Sequence, residues 1–401
     1  MTKRRAPRAL AVLTAALLVA AAGCSAPGDS APAGARLGGG HGAQSSTAPT
    51  GSGPARGFTL VASGDVLPHP SVIQRARTDA GGEGYDFRPM FAGVQPVVSA
   101  ADLALCHMET VYGDEDGPFS GYPAFVSPPQ IADALKATGY EGCSTASNHS
   151  LDDGADGLRR TLDRFDTVGL GHSGTARTAA EAARPPVYRA GSAKVAHLAY
   201  TFDTNGYPLP DGRPWAVNLT DEKKIVADAR AARKAGADVV LVSLHWGTEW
   251  QTEPDDRQLT LGRSLTASRT DGRPDIDLIL GTHAHIPQAY EKVNGTWIVY
   301  GMGDQVAGTM FNHSGAFDPR GNYSSLGRFR FEPPATPGAR WQVTKAEFVP
   351  QWYDLDAGRV VNLPAALAED PNDQAYRTAQ DAITEAVLGR GAAKDGLTEG
   401  R

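Results

Sequence analysis

The chain has 401 residues, 38 of them Lys or Arg against 45 Asp or Glu, for a formal charge of −7, with 41% hydrophobic and 21% charged residues. That composition is globular and excludes coiled-coil, collagen-like and wholly disordered chains. Removing residues 1–23 takes Lys3, Arg4, Arg5 and Arg8 with them and leaves 34 basic against 45 acidic residues, a balance of −11 that excludes a nucleic-acid partner.

Residues 1–23 read as a secretion signal: a basic start, then an apolar run from Ala9 to Ala22 too short to span a bilayer at ~1.5 Å per residue. The run ends Val19-Ala20-Ala21-Ala22-Gly23-Cys24, which resembles a bacterial lipobox. Cys24 is therefore the expected lipid attachment, and the mature protein an extracytoplasmic lipoprotein of the bacterial cell membrane; plain cleavage, giving a secreted protein, is the alternative. Of the 34 residues 24–57, 27 are Ala, Gly, Ser, Pro or Thr, so this stretch is expected to be a disordered tether. A globular domain is expected over 58–353, followed by an extension over 354–401 with one helix. In an oxidising compartment Cys106 and Cys143 either pair or remain two separate buried thiols.

Within the domain, short apolar runs predict strands and three- and four-residue spacings predict helices. A strand over 58–63 ends at Gly64-Asp65, and one over 103–106 at His107-Met108-Glu109. After a helix over 129–138, a strand over 142–145 leads to Ser147-Asn148-His149, and a helix over 155–167 follows. A hairpin joins 187–190 to 194–201, then comes a helix over 221–235 with an acidic first turn. The strand over 239–244 ends at His245-Trp246-Gly247, and that over 277–280 at Gly281-Thr282-His283-Ala284-His285. A second hairpin, 290–293 with 296–300, ends at Gly301-Met302-Gly303-Asp304. Strands over 326–331 and 341–348 add antiparallel pairing, and a last helix opens at Asp370-Pro371 with Tyr376, Ala379, Ile383 and Val387 on one face. Alternation of this kind is α/β, with a mixed sheet or two packed sheets flanked by helices.

Chemistry-bearing residues follow six strands in turn, and in α/β folds ligands bind at the carboxyl ends of strands. Carboxylates, an amide and several imidazoles gathered on one rim are the donor set of a dinuclear metal site. If the strand runs on through His283 and His285, period two puts both imidazoles on one side, with Gly281 allowing the backbone to pass close beneath. Trp246, Trp250 and Tyr207 either line the cleft or belong to the core. His41, His172, His197 and His313 have no pattern behind them.

Six ordered blocks carry a resemblance: Ser63-Gly64-Asp65-Val66, Met108-Glu109-Thr110, Ser147-Asn148-His149-Ser150-Leu151-Asp152-Asp153-Gly154, His245-Trp246-Gly247-Thr248-Glu249-Trp250, Gly281-Thr282-His283-Ala284-His285-Ile286-Pro287-Gln288 and Tyr300-Gly301-Met302-Gly303-Asp304. From Phe58 to Phe331 the chain resembles the CapA family of capsule and poly-γ-glutamate biosynthesis, within the calcineurin-like metallophosphoesterase superfamily. The resemblance implies a four-layer α/β/β/α sandwich with two mixed sheets. It also implies two divalent transition-metal ions (Mn, Fe or Zn) on Asp65, Glu109, Asn148, His245, His283 and His285, with Glu109 bridging. His149 is then an acid near the scissile bond, oriented by Asp152; the other reading of Asp152 is as the cap of the following helix.

Three departures stand out. The superfamily's Asp-x-His is absent, since Val66 and Leu67 follow Asp65 and the nearest imidazole is His69. The closing Gly-Asn-Phe is here Gly303-Asp304-Gln305, and Asn-Leu-Glu is His107-Met108-Glu109, where His107 is either a ligand or a packed strand residue. The function implied is metal-dependent hydrolysis of an envelope polymer or its phosphorylated precursor, with a polymer-synthase complex as a possible partner. A non-catalytic envelope protein that binds an anionic polymer during its synthesis or export is the alternative.

Overall fold

The computed structural model describes residues 55–336 and 338–401. The expected signal, Cys24 and the tether up to residue 54 lie outside the described residues. The longer strands are β1 (Phe58–Val66), β2 (Leu103–Met108), β3 (Gly142–Ser144), β4 (Gly171–Ser173), β5 (Val187–Ala190), β6 (Ala193–Thr201), β7 (Val239–His245) and β8 (Leu278–Thr282). They continue with β9 (Tyr290–Val293), β10 (Thr296–Val299), β11 (Asp304–Val306), β12 (Tyr323–Glu332), β13 (Gln342–Asp354), β14 (Arg359–Asn362) and β15 (Leu397–Glu399). The principal helices are α1 (Pro70–Asp79), α2 (Gln130–Thr138), α3 (Gly154–Val168), α4 (Glu222–Lys234), α5 (Asp256–Ala267), α6 (Leu363–Glu369) and α7 (Gln374–Leu388).

Side-chain alternation sets the layers. In β1 and β2, Phe58, Leu60, Ala62, Leu103 and Leu105 face a core shared with Val195, Val239, Leu241, Leu278 and Leu280 of the other sheet. The opposite face of the first sheet, with Val61, Ala104 and Cys106, packs on Val72, Ile131 and Leu135 of α1 and α2. The opposite face of the second, with Val240, Val242 and Ile279, packs on Ile225 and Ala229 of α4 and Leu265 of α5. Buried on both faces, its central strand reads as the unbroken run Val239-Val240-Leu241-Val242. The result is the four-layer α/β/β/α sandwich with two mixed sheets that the resemblance implies.

The nine-stranded sheet runs β14-β13-β12-β1-β2-β3-β4, with β11 also pairing β1 and β15 also pairing β13. The six-stranded sheet runs β9-β10-β8-β7-β6-β5. Strands β1 through β4 are mutually parallel, as are β6, β7, β8 and β10, so their carboxyl ends reach one rim together. A Cys106–Cys143 disulfide joins β2 to β3 at positions in direct register.

Residues after Tyr353 are woven into the first sheet. β14 and β15 both pair with β13, and Ala379, Ile383 and Val387 of α7 belong to the same core cluster as Phe329 of β12 and Phe348 of β13. This stretch holds two helices where one was expected, because α6 is short and is started by Asn362, whose side chain accepts from the Ala365 N–H. The start of α7 also moves: Asp373 caps it, while Asp370 accepts from the Asn372 N–H in the preceding turn. At the other end, the Arg56 N–H donates to Ser192 Oγ, so the last residues assigned to the tether are tied to the β5–β6 hairpin.

Candidate metal centre

Asp65, near the end of β1, is fully buried. Its Oδ2 accepts the His283 N–H at 3.1 Å, and its Oδ1 lies 3.5 Å from His107 Nε2 and 3.9 Å from His245 Nδ1. Glu109 follows β2 and places Oε1 3.6 Å from His245 Nε2. Asn148, in the turn after β3, brings Oδ1 to 2.9 Å from the same His245 nitrogen. Asp304 opens β11, in register with Asp65, and its Oδ1 is 3.1 Å from His285 Nδ1. All six residues expected to hold metal therefore meet at one place, and His107 and Asp304 join them.

Three groups have donor atoms within 4.8 Å of one another: Asp65 with His107 and His245; Glu109 with His245 and His283; and Asp65 with Glu109, His285 and Asp304. Asp65, Glu109 and His245 each belong to two groups, which is the overlap two neighbouring cations need. His107, on the adjacent strand, brings an imidazole beside Asp65, where the sequence directly after Asp65 has none. His69 belongs to none of the three groups, and its Nδ1 sits 3.2 Å from the Leu67 carbonyl and 3.1 Å from that of Ala307.

The strand does not run on through His283 and His285. β8 stops at Thr282, and both histidines adopt left-handed backbone, φ +94° and +62°, a strained conformation for such residues. Gly281 is needed for proximity: a Cβ there would lie 2.0 Å from the Tyr300 carbonyl oxygen and 2.6 Å from Trp246 Nε1. Trp246 itself is core, its indole N–H donating to Tyr300 O at 2.9 Å, whereas Trp250 and Tyr207 line the cleft.

Six atoms of this cluster are buried without a hydrogen-bond partner: Asp65 Oδ1, both Glu109 oxygens, His107 Nε2, His283 Nδ1 and Asp304 Oδ2. Buried polar atoms ordinarily find partners, so such a concentration of free carboxylate and imidazole donors fits divalent metal. The electrostatics agree. Burial pushes the carboxyls of Asp65, Glu109 and Asp304 above the usual range, and Asp304 and Asp65 respectively add to the rise at the first two. Burial lowers His245, His283 and His107, the last to about 3. Burial also opposes charge on His285, yet Asp304, Glu109 and Glu249 hold it well above the ordinary imidazole value. Three carboxyls crowded this way need positive charge to be ionised together.

Beside the cluster, His149 Nδ1 lies 2.6 Å from Asp152 Oδ2, which also accepts the Phe125 N–H at 2.6 Å. With Asp152 Oδ2 as acceptor, this contact places a ring proton on Nδ1 and leaves Nε2 outside the pair. The N-cap position of α3 falls to Asp153, leaving Asp152 to the histidine. Asn205 spans the two halves: its Oδ1 accepts from Asn148 Nδ2 at 3.3 Å and its Nδ2 is 3.5 Å from His149 Nδ1. It lies in the loop after β6 and carries no local sequence signal, apart from being one of the residue types that tolerate its φ of +51°.

The family model described as "Bacterial capsule synthesis protein PGA_cap" matches residues 59–309. Over 173 residues the chain is 29% identical to the PGA biosynthesis protein CapA of Bacillus subtilis (strain 168), covering 43% of this chain and 44% of that one. Over 176 residues it is 26% identical to the capsule biosynthesis protein CapA of Bacillus anthracis, covering 43% and 41%. The chain thus spans less than half the length of these two relatives. Among solved structures it is similar to a 5′-nucleotidase precursor of Thermus thermophilus, 14% identical with a TM-score of 0.44 over 82% of this chain and 60% of that chain. It is also similar to the calcineurin-like phosphoesterase YfkN of Bacillus subtilis, 14% identical with a TM-score of 0.41 over 82% and 100%. The family match takes in more than half of the chain and every residue of the cluster, and on that ground the chain belongs to the bacterial capsule synthesis protein family PGA_cap.

Proposed function

We propose that this protein is a metal-dependent hydrolase of envelope-polymer metabolism, held outside the cytoplasmic membrane by a lipid on Cys24 and working beside a polymer synthase. Asp65, Glu109, Asn148, His245, His283 and His285, joined by His107 and Asp304, would hold two divalent transition-metal ions. The observation that carries this reading is the convergence of three buried carboxyls and four buried imidazoles with six unpartnered polar atoms among them. Bound there, the ions supply positive charge for a developing oxyanion and a means of ionising water near neutral pH.

The chain's own groups supply the rest. Asp152 fixes the His149 ring through Nδ1, so that a proton carried on Nε2 can pass to a leaving oxygen at the mouth of the cluster. Phe125, edge-on to His149 at 4.8 Å, keeps that ring from turning away. The burial of Asp65, Glu109 and Asp304 excludes water from all but the reacting face.

The test is hydrolysis of p-nitrophenyl phosphate, bis(p-nitrophenyl) phosphate and γ-glutamyl peptides by purified protein with and without a chelator. Chelator-sensitive cleavage of a phosphoester is expected. Failure of metal-replete protein to turn over any of them would remove the hydrolase reading and favour a polymer-binding role.

A further inference from the structure

A cleft of about 990 Å³ opens beside the cluster, with His149, Asn148 and His285 in its lining. Among the described residues no lysine or arginine lines it. Its one carboxylate, Glu249, stands 3.6 Å from His313 Nε2 and 3.9 Å from His285 Nε2, so it is engaged by imidazoles of the same wall.

Aromatic rings take the place of charge. Tyr122, Tyr207 and Phe311 line the cleft at 79%, 43% and 59% exposure. Phe317 packs edge-on against Phe311 at 6.5 Å, and Phe202 lies against the His283 ring at 4.5 Å. These are the five aromatic members of the seven large hydrophobic side chains that stand exposed among the described residues. Scattered exposed hydrophobics are ordinary, but Tyr122, Tyr207 and Phe311, three of these five rings, line one cavity, and such a gathering marks a binding surface. Trp250 is locked into the same wall: its backbone holds φ +65°, its N–H donates to Ala284 O at 2.9 Å, and its ring abuts Gly321, where a Cβ would come within 2.7 Å. Asn205, Asn312 and Thr309 place amides and a hydroxyl between the rings.

Rings with interleaved amides and no lysine or arginine suit a chain that is polyhydroxylated and uncharged, whose C–H faces stack while its hydroxyls exchange hydrogen bonds. Away from the cluster, a polyanion entering here would meet no lysine or arginine to replace the water shed from its carboxylates. We infer that the cleft binds an uncharged glycan segment and that the substrate is a glycan carrying a phosphoester, rather than a polyanion such as poly-γ-glutamate. The chemistry rests on the hydrolase reading above. The oxygen of water forms the new bond to phosphorus, the bond between phosphorus and the sugar oxygen breaks, and that oxygen takes its proton from His149, which regains one from the attacking water.

Binding is separable from turnover, so calorimetric titration of the metal-replete, full-length protein tests the inference. The probes are maltohexaose, cellohexaose, chitohexaose and poly-γ-glutamate at physiological ionic strength. At least one neutral oligosaccharide is expected to bind, and the Tyr207→Ala/Phe311→Ala double variant to bind it roughly tenfold more weakly at unchanged Tm. Both side chains are exposed, so the variant keeps its fold. Binding of no oligosaccharide, binding of poly-γ-glutamate alone, or an unweakened double variant would each overturn the inference. Turnover of bis(p-nitrophenyl) phosphate without oligosaccharide binding defeats the glycan cleft and leaves the hydrolase standing; oligosaccharide binding without turnover does the reverse.

Discussion

Replacing Asp152 with alanine removes one carboxylate and strands two donors. Oδ2 accepts from Phe125 N–H and from His149 Nδ1, each at 2.6 Å, and the side chain is fully buried. Leaving the Phe125 amide unpaired costs ~1–3 kcal/mol, and the charge-assisted bond to His149 is worth ~1.5–3 kcal/mol. Part of this is offset because a buried carboxylate no longer has to be desolvated, so a net loss of ~2–4 kcal/mol is expected. With an unfolding entropy of ~2.1 cal/mol/K per residue over roughly 350 residues, Tm falls by ~3–5 °C in scanning calorimetry. Turnover of bis(p-nitrophenyl) phosphate falls too, since His149 is no longer held. His149→Asn should keep the fold and lower kcat by ~10²–10⁴. Because the two act as one unit, the double variant should be no slower than His149→Asn beyond a few-fold. A double variant that loses the product of the single effects, or an Asp152→Ala protein with unchanged Tm and kcat, would refute the coupling of acid to carboxylate.

The carboxyls of Asp65, Glu109 and Asp304 are raised by burial in the metal-free fold, so folding takes up protons there. Stability of metal-free protein should therefore fall as pH rises from the unfolded carboxyl value of ~4 through the raised folded values. Metal displaces those protons, so the Tm gain on adding Mn or Zn should be larger near pH 8 than near pH 5, and an equal or smaller gain would contradict the site. Gly281→Ala forces a Cβ to within 2.0 Å of the Tyr300 carbonyl, and a loss of ~1–3 kcal/mol or more is expected, read as a lowered urea midpoint with lowered metal content. Cys24→Ala should move the protein from the membrane fraction to the soluble one; retention in membranes would contradict lipid anchoring.

The strand-end groups were legible because each follows an apolar run, and parallel strands bring their ends together whichever sheet they join. His107 was half legible: Leu103, Leu105, His107 and Glu109 share one parity, and the first two face the inter-sheet core. What the sequence left open was whether that parity continues past the last hydrophobic residue. Asp304 lay at a strand end but departs from the family's closing pattern, and its partner His285 is reached only through a left-handed turn that no spacing rule anticipates. Asn205 and the rings of the cleft come from loops, where position depends on tertiary packing alone. The last 48 residues read weakly because β14 is 4 residues and α6 is 7, each too short to show a period.

The most direct test is the metal content of purified protein, by elemental analysis after equilibration with Mn, Fe or Zn. Two ions per chain are expected in wild type, with Glu109→Ala and His283→Ala each losing most of that content and His172→Ala, a histidine outside the cluster, keeping it. Equal content in all four proteins would contradict the assignment of this cluster as a metal centre.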